Sequence, residues 1–319
     1  MDQRFVPINA LLAMVTGEAG WPPVFKGAGY HVQAIEAKIS TSTPAGDGRT
    51  SRPDAVLANP DAASVILGEA KSGSSGVARQ LETMSFVTVA QARTHVGFSF
   101  VPTRLESLVI GLDGHEPGLR SRMAEAGVDF PLLLLGGRRA RLTSALHALE
   151  PFDLEVPAHP PRIICIDAQS SEDEWRRYLA PQIAALMAQD ARSPVGVDSM
   201  IQQIIAWWPT YSAAGKRDLC HKVQQVLRGM QEGAMAGDFA LEEPHGGSTC
   251  GFIRILRTPA TNDPHGVTQG WQRVRRNARG AMGRRERAEQ SMMDPLFRFE
   301  ELGLAAEVDT DRPGSEDES

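Results

Sequence analysis

Pro53-Asp54-Ala55-Val56-Leu57-Ala58-Asn59, a turn through Pro60-Asp61, and then Ser64-Val65-Ile66-Leu67-Gly68-Glu69-Ala70-Lys71 form the stretch on which the fold turns. Both runs are short, apolar and bounded by turn formers, the pattern of two buried strands joined as a hairpin. Charge sits only at their ends. Asp54 opens the first strand, Glu69 and Lys71 close the second, and fourteen residues separate the two acids. Period-two alternation puts Glu69 and Lys71 on one face and Ala70 on the other. Two acids and an ammonium are costly to bury at the ends of apolar strands unless something binds them. A hard divalent cation needs such converging oxygens, and phosphodiester cleavage needs that cation, an activated water and a positive group for the developing charge. Asp54 and Glu69 are therefore the candidate metal ligands, with the backbone carbonyl of Ala70 as an extra one. Lys71 beside them would orient the water or neutralise the phosphate.

Working outward, apolar residues from Pro7 to Val15 recur at helical spacing, and Pro7 suits a first turn, so residues 7–18 predict a helix. Residues 30–39 predict a strand, and the turn formers of 41–52 a loop. After Lys71 the pattern predicts a helix over 77–92, strands over 96–101, 107–112 and 130–135, and a helix over 117–126. Apolar strands interleaved with helices give an α/β domain with a mixed central sheet flanked by helices. Its expected span is 1–155, ending near the prolines Pro157, Pro160 and Pro161.

The spacing Pro53-Asp54, fourteen residues, Glu69-Ala70-Lys71 behind Val65-Ile66-Leu67 resembles the PD-(D/E)xK nuclease superfamily, also called restriction-endonuclease-like. The order of elements around it is similar, and the resemblance covers about residues 5–140. It implies a restriction-endonuclease-like core, magnesium or manganese held by Asp54 and Glu69, and water assistance from Lys71. It also implies an upstream acid, for which Glu18 and Glu36 both stand open, Glu18 slightly favoured as the end of the first helix. Gln80 occupies the place of a glutamine found after the lysine in some branches, although the tyrosine that often follows is replaced by Met84. The implied activity is metal-dependent hydrolysis of DNA, with RNA as the variant substrate, in restriction or anti-phage defence. The alternative is a catalytically silent DNA-binding or assembly subunit.

The second half has a different texture. Helices are predicted over 172–190, 198–208 and 217–232, then a hairpin from Phe239–Glu242 and Cys250–Leu256. That is the order of a winged helix, within a mainly helical domain expected over 160–258. Residues 259–319 form an arginine-rich segment and an acidic tail expected to be disordered. Arg273, Arg275, Arg276 and Arg279 are the candidate phosphate contacts, so a net charge of −6 leaves nucleic-acid binding open. Hydrophobic residues at 42% and charged residues at 23% fit a globular chain, and no apolar run reaches the ~20 residues of a membrane span. Cytoplasmic localisation is the expectation, with Cys165, Cys220 and Cys250 unpaired in a reducing compartment and no zinc-type spacing. A homodimer and a separate partner subunit both remain open. Gly27-Ala28-Gly29 lacks the third glycine of a dinucleotide loop, no phosphate-binding Walker loop is present, and Gly97-Phe98-Ser99-Phe100-Val101 lacks the last glycine of a nucleophile elbow.

Overall fold

The computed structural model describes residues 3–73, 77–188, 193–233, 235–246 and 248–256. In chain order, the first part runs α1 (Val6–Thr16), α2 (Val24–Gly27), β1 (His31–Ile35), β2 (Ile39–Ser42), β3 (Gly48–Ser51), β4 (Ala55–Asn59) and β5 (Ser64–Lys71). It continues with α3 (Ala78–Ser85), α4 (Val89–Val96), β6 (Arg104–Leu112), α5 (Glu116–Glu125), β7 (Leu132–Gly136), β8 (Arg139–Leu142) and β9 (Phe152–Glu155). Then come α6 (Glu172–Ala188), β10 (Val195–Gly196), α7 (Val197–Ile204), α8 (Ala213–Glu232), β11 (Phe239–Glu242) and β12 (Phe252–Ile255).

The fold is α/β with a seven-stranded sheet in the order β1-β4-β5-β6-β7-β8-β9. Pairing is antiparallel from β1 through β5, parallel for β5-β6-β7, and antiparallel again to β9. The two parallel steps are where the chain must cross over, and α3 with α4, then α5, make those crossings. β4 is buried along its whole length and β5 from Ser64 to Glu69, as sheets covered on both faces require. Val65 and Leu67 join Val56, Val109, Leu81, Met84 and Leu119 in one core under the crossover helices. Each such side chain contributes roughly 1.5–3 kcal/mol on burial. The opposite face receives α1, and Gly68 makes room for it: a Cβ there would meet Leu11 at 3.2 Å.

Several expected elements differ. The 41–52 loop contains β3 and the end of β2, which pair as a hairpin outside the main sheet. The expected 77–92 helix is two helices, because Thr88 caps a new one: its hydroxyl accepts the Gln91 N–H while Gln91 reaches back to the Thr88 N–H. The stretch expected as a strand over 96–101 is instead the end of α4 and an irregular segment after Gly97 (φ +74°). β8 and β9, short and partly polar, carry little apolar signal.

Two compact units are interleaved in the chain. The first comprises the described residues of 3–169 and 245–250, with 198–223. The second comprises the described residues of 170–197 and 224–244, with 251–256. The expected boundary near 155–160 thus precedes the first crossing, and the chain returns to the first unit with α7. The second unit has its own core, including Trp175, Leu179, Ile183, Val226, Leu227 and Phe239, and a three-stranded sheet β10-β12-β11. The predicted hairpin is present as β11–β12. The helix–helix–hairpin order is also present, but the unit boundary runs through it. Among the described residues no helix is long and apolar enough to cross a membrane.

Candidate metal centre

Strand register brings the acids together. Ala55 pairs with Gly68, so one further step sets Asp54 opposite Glu69. Ile35 pairs with Ala55, and the next step sets Glu36 opposite Asp54, whose backbone carbonyl accepts the Glu36 N–H at 3.0 Å. Three carboxylates therefore stand side by side across β1, β4 and β5. Alternation from Val56, Val65 and Leu67 directs Asp54, Glu69 and Lys71 to the α3 side of the sheet. The Lys71 ammonium accordingly donates to Gln80 Oε1 on α3 at 2.8 Å.

Glu69 is 1% exposed. The Lys71 ammonium lies 2.5 Å from its Oε1 as an ion pair, yet no donor is aligned on that buried oxygen for a hydrogen bond. Asp54 Oδ2 accepts the Ala70 N–H at 2.7 Å. Burial, and then the charge of Asp54, hold the Glu69 carboxyl well above the usual carboxylate range, while Lys71 pulls it back. Burial also raises Asp54, against the lowering influence of Lys71 and the Ala70 N–H.

A cavity of about 400 Å³ opens beside this cluster; Glu69 itself is not in its lining but lies buried behind Lys71. Asp54, Ala70, Lys71 and Gln80 line it, and so does Glu36. Glu18 does not. α1 ends at Thr16 with left-handed Gly17, and Glu18 sits exposed in the short turn beyond, so the upstream acid in the cavity is Glu36. Glu36 adopts φ +54°, a left-handed backbone that costs a non-glycine residue about 1–2 kcal/mol. Its carboxyl is pushed up to about 8 by burial first, and then by the charges of Asp54 and Asp167.

Asp167 and Tyr211 complete the lining from segments outside the expected domain, and Arg4 and Arg52 add positive charge. The phenol of Tyr211, 4% exposed, is raised far above its ordinary value by burial and then by Glu36. Asp167 arrives because Asn9, buried on α1, grips the chain nearby: its amide donates to the Ile164 carbonyl at 2.8 Å and accepts the Ile164 N–H at 2.7 Å. A lone asparagine on an otherwise apolar helix was the available sequence signal for that tie. Nothing comparable marks Tyr211, whose neighbour in space, Ile35, is far away in the chain.

Of the other expected residues, Arg273, Arg275, Arg276 and Arg279 lie outside the described residues. The expectation of unpaired thiols is corrected at Cys220 and Cys250, which are joined in a disulfide with Cα atoms 4.8 Å apart; Cys165 is not part of one. Asp198 lies within 4.8 Å of both sulfurs, but its Oδ2 accepts from the Ser248 hydroxyl and from the Thr249 and Cys250 N–H groups. That cluster is a tie between α7, α8 and the loop before β12. Comparison of the chain with protein-family models, with curated proteins and with solved structures gives no match in any of the three.

Proposed function

We propose that the chain is a divalent-metal-dependent nuclease with a restriction-endonuclease-like core, acting on phosphodiester bonds of DNA. The observation that carries this reading is the placement of Asp54 opposite Glu69, with Lys71 tethered between Glu69 and Gln80 at the edge of a polar cavity. The donor set fits magnesium or manganese. It consists of hard oxygens, and among the described residues no histidine or cysteine lines the cavity. Asp54 and Glu69 would hold the ion, with the Ala70 carbonyl as a further ligand. Such an ion supplies Lewis-acid polarisation and a more acidic bound water.

The remaining steps fall to the chain's own residues. Lys71 neutralises Glu69 in the metal-free protein, and Gln80 keeps its ammonium in the cavity when Glu69 is otherwise engaged. From there it can hold the attacking water or meet a phosphate oxygen. Glu36, its backbone N–H held by the Asp54 carbonyl, is the group placed to take up or release a proton beside Asp54. Arg4 and Arg52 also line the cavity, paired with Asp167 at 3.8 Å and with Asp218 at 3.5 Å, and are the cations that could turn to a phosphodiester. Service in restriction or anti-phage defence, and the use of the arginine-rich segment against DNA, belong to the same proposal.

The test is cleavage of plasmid and linear DNA with magnesium or manganese, comparing the parent with Asp54→Ala and Lys71→Ala. Metal-dependent cutting lost in both variants supports the proposal. Absence of cutting together with absence of metal uptake by calorimetry overturns it in favour of a silent subunit.

A further inference from the structure

The site's third acid is held from a part of the chain far from it. Glu36 sits in a conformation it does not choose for itself, and its peptide is gripped from two sides. On one side its N–H bonds to the Asp54 carbonyl at 3.0 Å. On the other, its carbonyl accepts the Ser212 hydroxyl at 2.6 Å, while the Ser212 N–H bonds to the Ile35 carbonyl at 2.9 Å. The same Ser212 oxygen accepts the Gly215 N–H at 3.0 Å and so caps α8. The hydroxyl thus works both ways, its one proton on Glu36 and a lone pair on the helix. Gly215 is needed for this approach: a Cβ there would lie 2.8 Å from Glu36 Cβ and 3.1 Å from the Glu36 carbonyl oxygen. Tyr211, bridged to Ile35, closes the cavity wall beside them.

We propose that Ser212 and Gly215 are positioning residues of the site: the start of α8 clamps Glu36 in its left-handed backbone so that its carboxylate stays in the cavity beside Asp54. The inference rests on the metal-site reading for its consequence, and on geometry alone for the clamp. Loss of the hydroxyl frees the Glu36 carbonyl, and a side chain at position 215 pushes the whole peptide away. In both cases the backbone relaxes toward ordinary φ and the carboxylate leaves Asp54.

Two measurements separate the clamp from the metal reading. The Cα and Cβ chemical shifts of Glu36, recorded by NMR on the full metal-free chain, report its left-handed backbone directly. Manganese affinity, followed by the electron paramagnetic resonance of the ion, reports the carboxylate. Ser212→Ala and Gly215→Ala should both move the Glu36 shifts to ordinary values and weaken manganese binding about five- to tenfold. Ser212→Thr, which keeps the hydroxyl, should restore both. On a Glu36→Gln background, Ser212→Ala should change manganese affinity less than about twofold. Ser171→Ala removes a comparable cap, that of α6, where the Ser171 hydroxyl accepts the Glu174 N–H. It controls for simple loss of helix stability and should leave Glu36 and manganese untouched. Glu36 shifts unchanged in Ser212→Ala and Gly215→Ala would overturn the clamp, whatever happens to thermal stability. A parent that takes up no manganese would sink the metal reading and leave the shift measurement to decide the clamp.

Discussion

Asn9 and Glu69 are both buried polar residues of the first unit, and they are treated in opposite ways. Asn9, with no exposed surface, has a partner on each side of its amide and ties two segments of chain together. Glu69 sits 1% exposed at the end of an apolar strand, with only the Lys71 ammonium against its Oε1 and its acid held far above the ordinary range. The first is what a fold does when it needs a polar group inside; buried amides are satisfied because an unmet one costs about 1–3 kcal/mol. The second is a standing cost that packing does not explain, since replacing a whole buried pair of this kind by apolar residues is often neutral or stabilising. On the proposed reading, that cost is kept because Glu69 serves a metal site.

Glu69→Gln is the sharpest way to break that contrast. It should lower metal-dependent cleavage on the order of a thousandfold and remove metal uptake, while the melting temperature of the metal-free protein stays level or rises a few degrees. A large fall in melting temperature with cleavage intact would mean that Glu69 serves the fold as Asn9 does.

Asn9→Ala should do the reverse. Both Ile164 backbone groups lose their partner, for an expected loss of about 2–4 kcal/mol in denaturant unfolding at low metal. Cleavage should fall only as far as the loosened 164–167 segment disturbs Asp167. A loss below about 0.5 kcal/mol would make the tie incidental.

The same contrast marks how far the sequence could be read. β4 and β5 were legible because apolar runs with charged ends have few other meanings, and register follows once the hairpin is granted. Lys71 and Gln80 were legible as a strand end and the next helix, though not their 2.8 Å contact. Glu18 was favoured over Glu36 because an acid at the end of an apolar helix fits a simple pattern, and nothing local announces that Glu36 takes a left-handed backbone. Its geometry is set by Asp54 and Ser212, the latter 176 positions away. Asp167, Tyr211 and the Cys220–Cys250 pair share that cause: each is brought in by a non-local contact that neither periodicity nor spacing encodes. The interleaving of the two units follows from the same returns of chain, which a boundary drawn at a proline cluster could not foresee.

The pH dependence of the metal-free protein tests the acid end as a whole. Glu36 has a folded value of about 8, above the ordinary carboxylate value of 4.5, and Asp54 and Glu69 are raised as well. A raised acid means that the folded state binds more protons than the unfolded one between those values, so stability falls as pH rises. For Glu36, stability should drop between about pH 4.5 and 8 and level off above, by about 2 kcal/mol after allowance for its partial exposure, or ~5 °C. On the proposed reading magnesium or manganese should flatten the slope, since the ion would replace the protons. Glu36→Gln should flatten it without metal. A flat profile for the parent would mean that the acids ionise freely and that the contrast with Asn9 is smaller than drawn.

The smallest expected effect sits on Gln80. Its Oε1 holds the Lys71 ammonium, but Lys71 also has Glu69, so Gln80→Ala should leave the metal-free protein within about 0.5 kcal/mol of the parent. On the proposed reading Glu69 would be given over to the metal under turnover, and Gln80 would be the tether that remains. Cleavage should then fall about three- to tenfold, with metal affinity unchanged and the loss carried by kcat rather than KM. Equal loss in metal affinity would place Gln80 in the service of Glu69. No loss at all would mean that Lys71 finds its working position through the phosphate alone, and that α3 contributes packing and not chemistry.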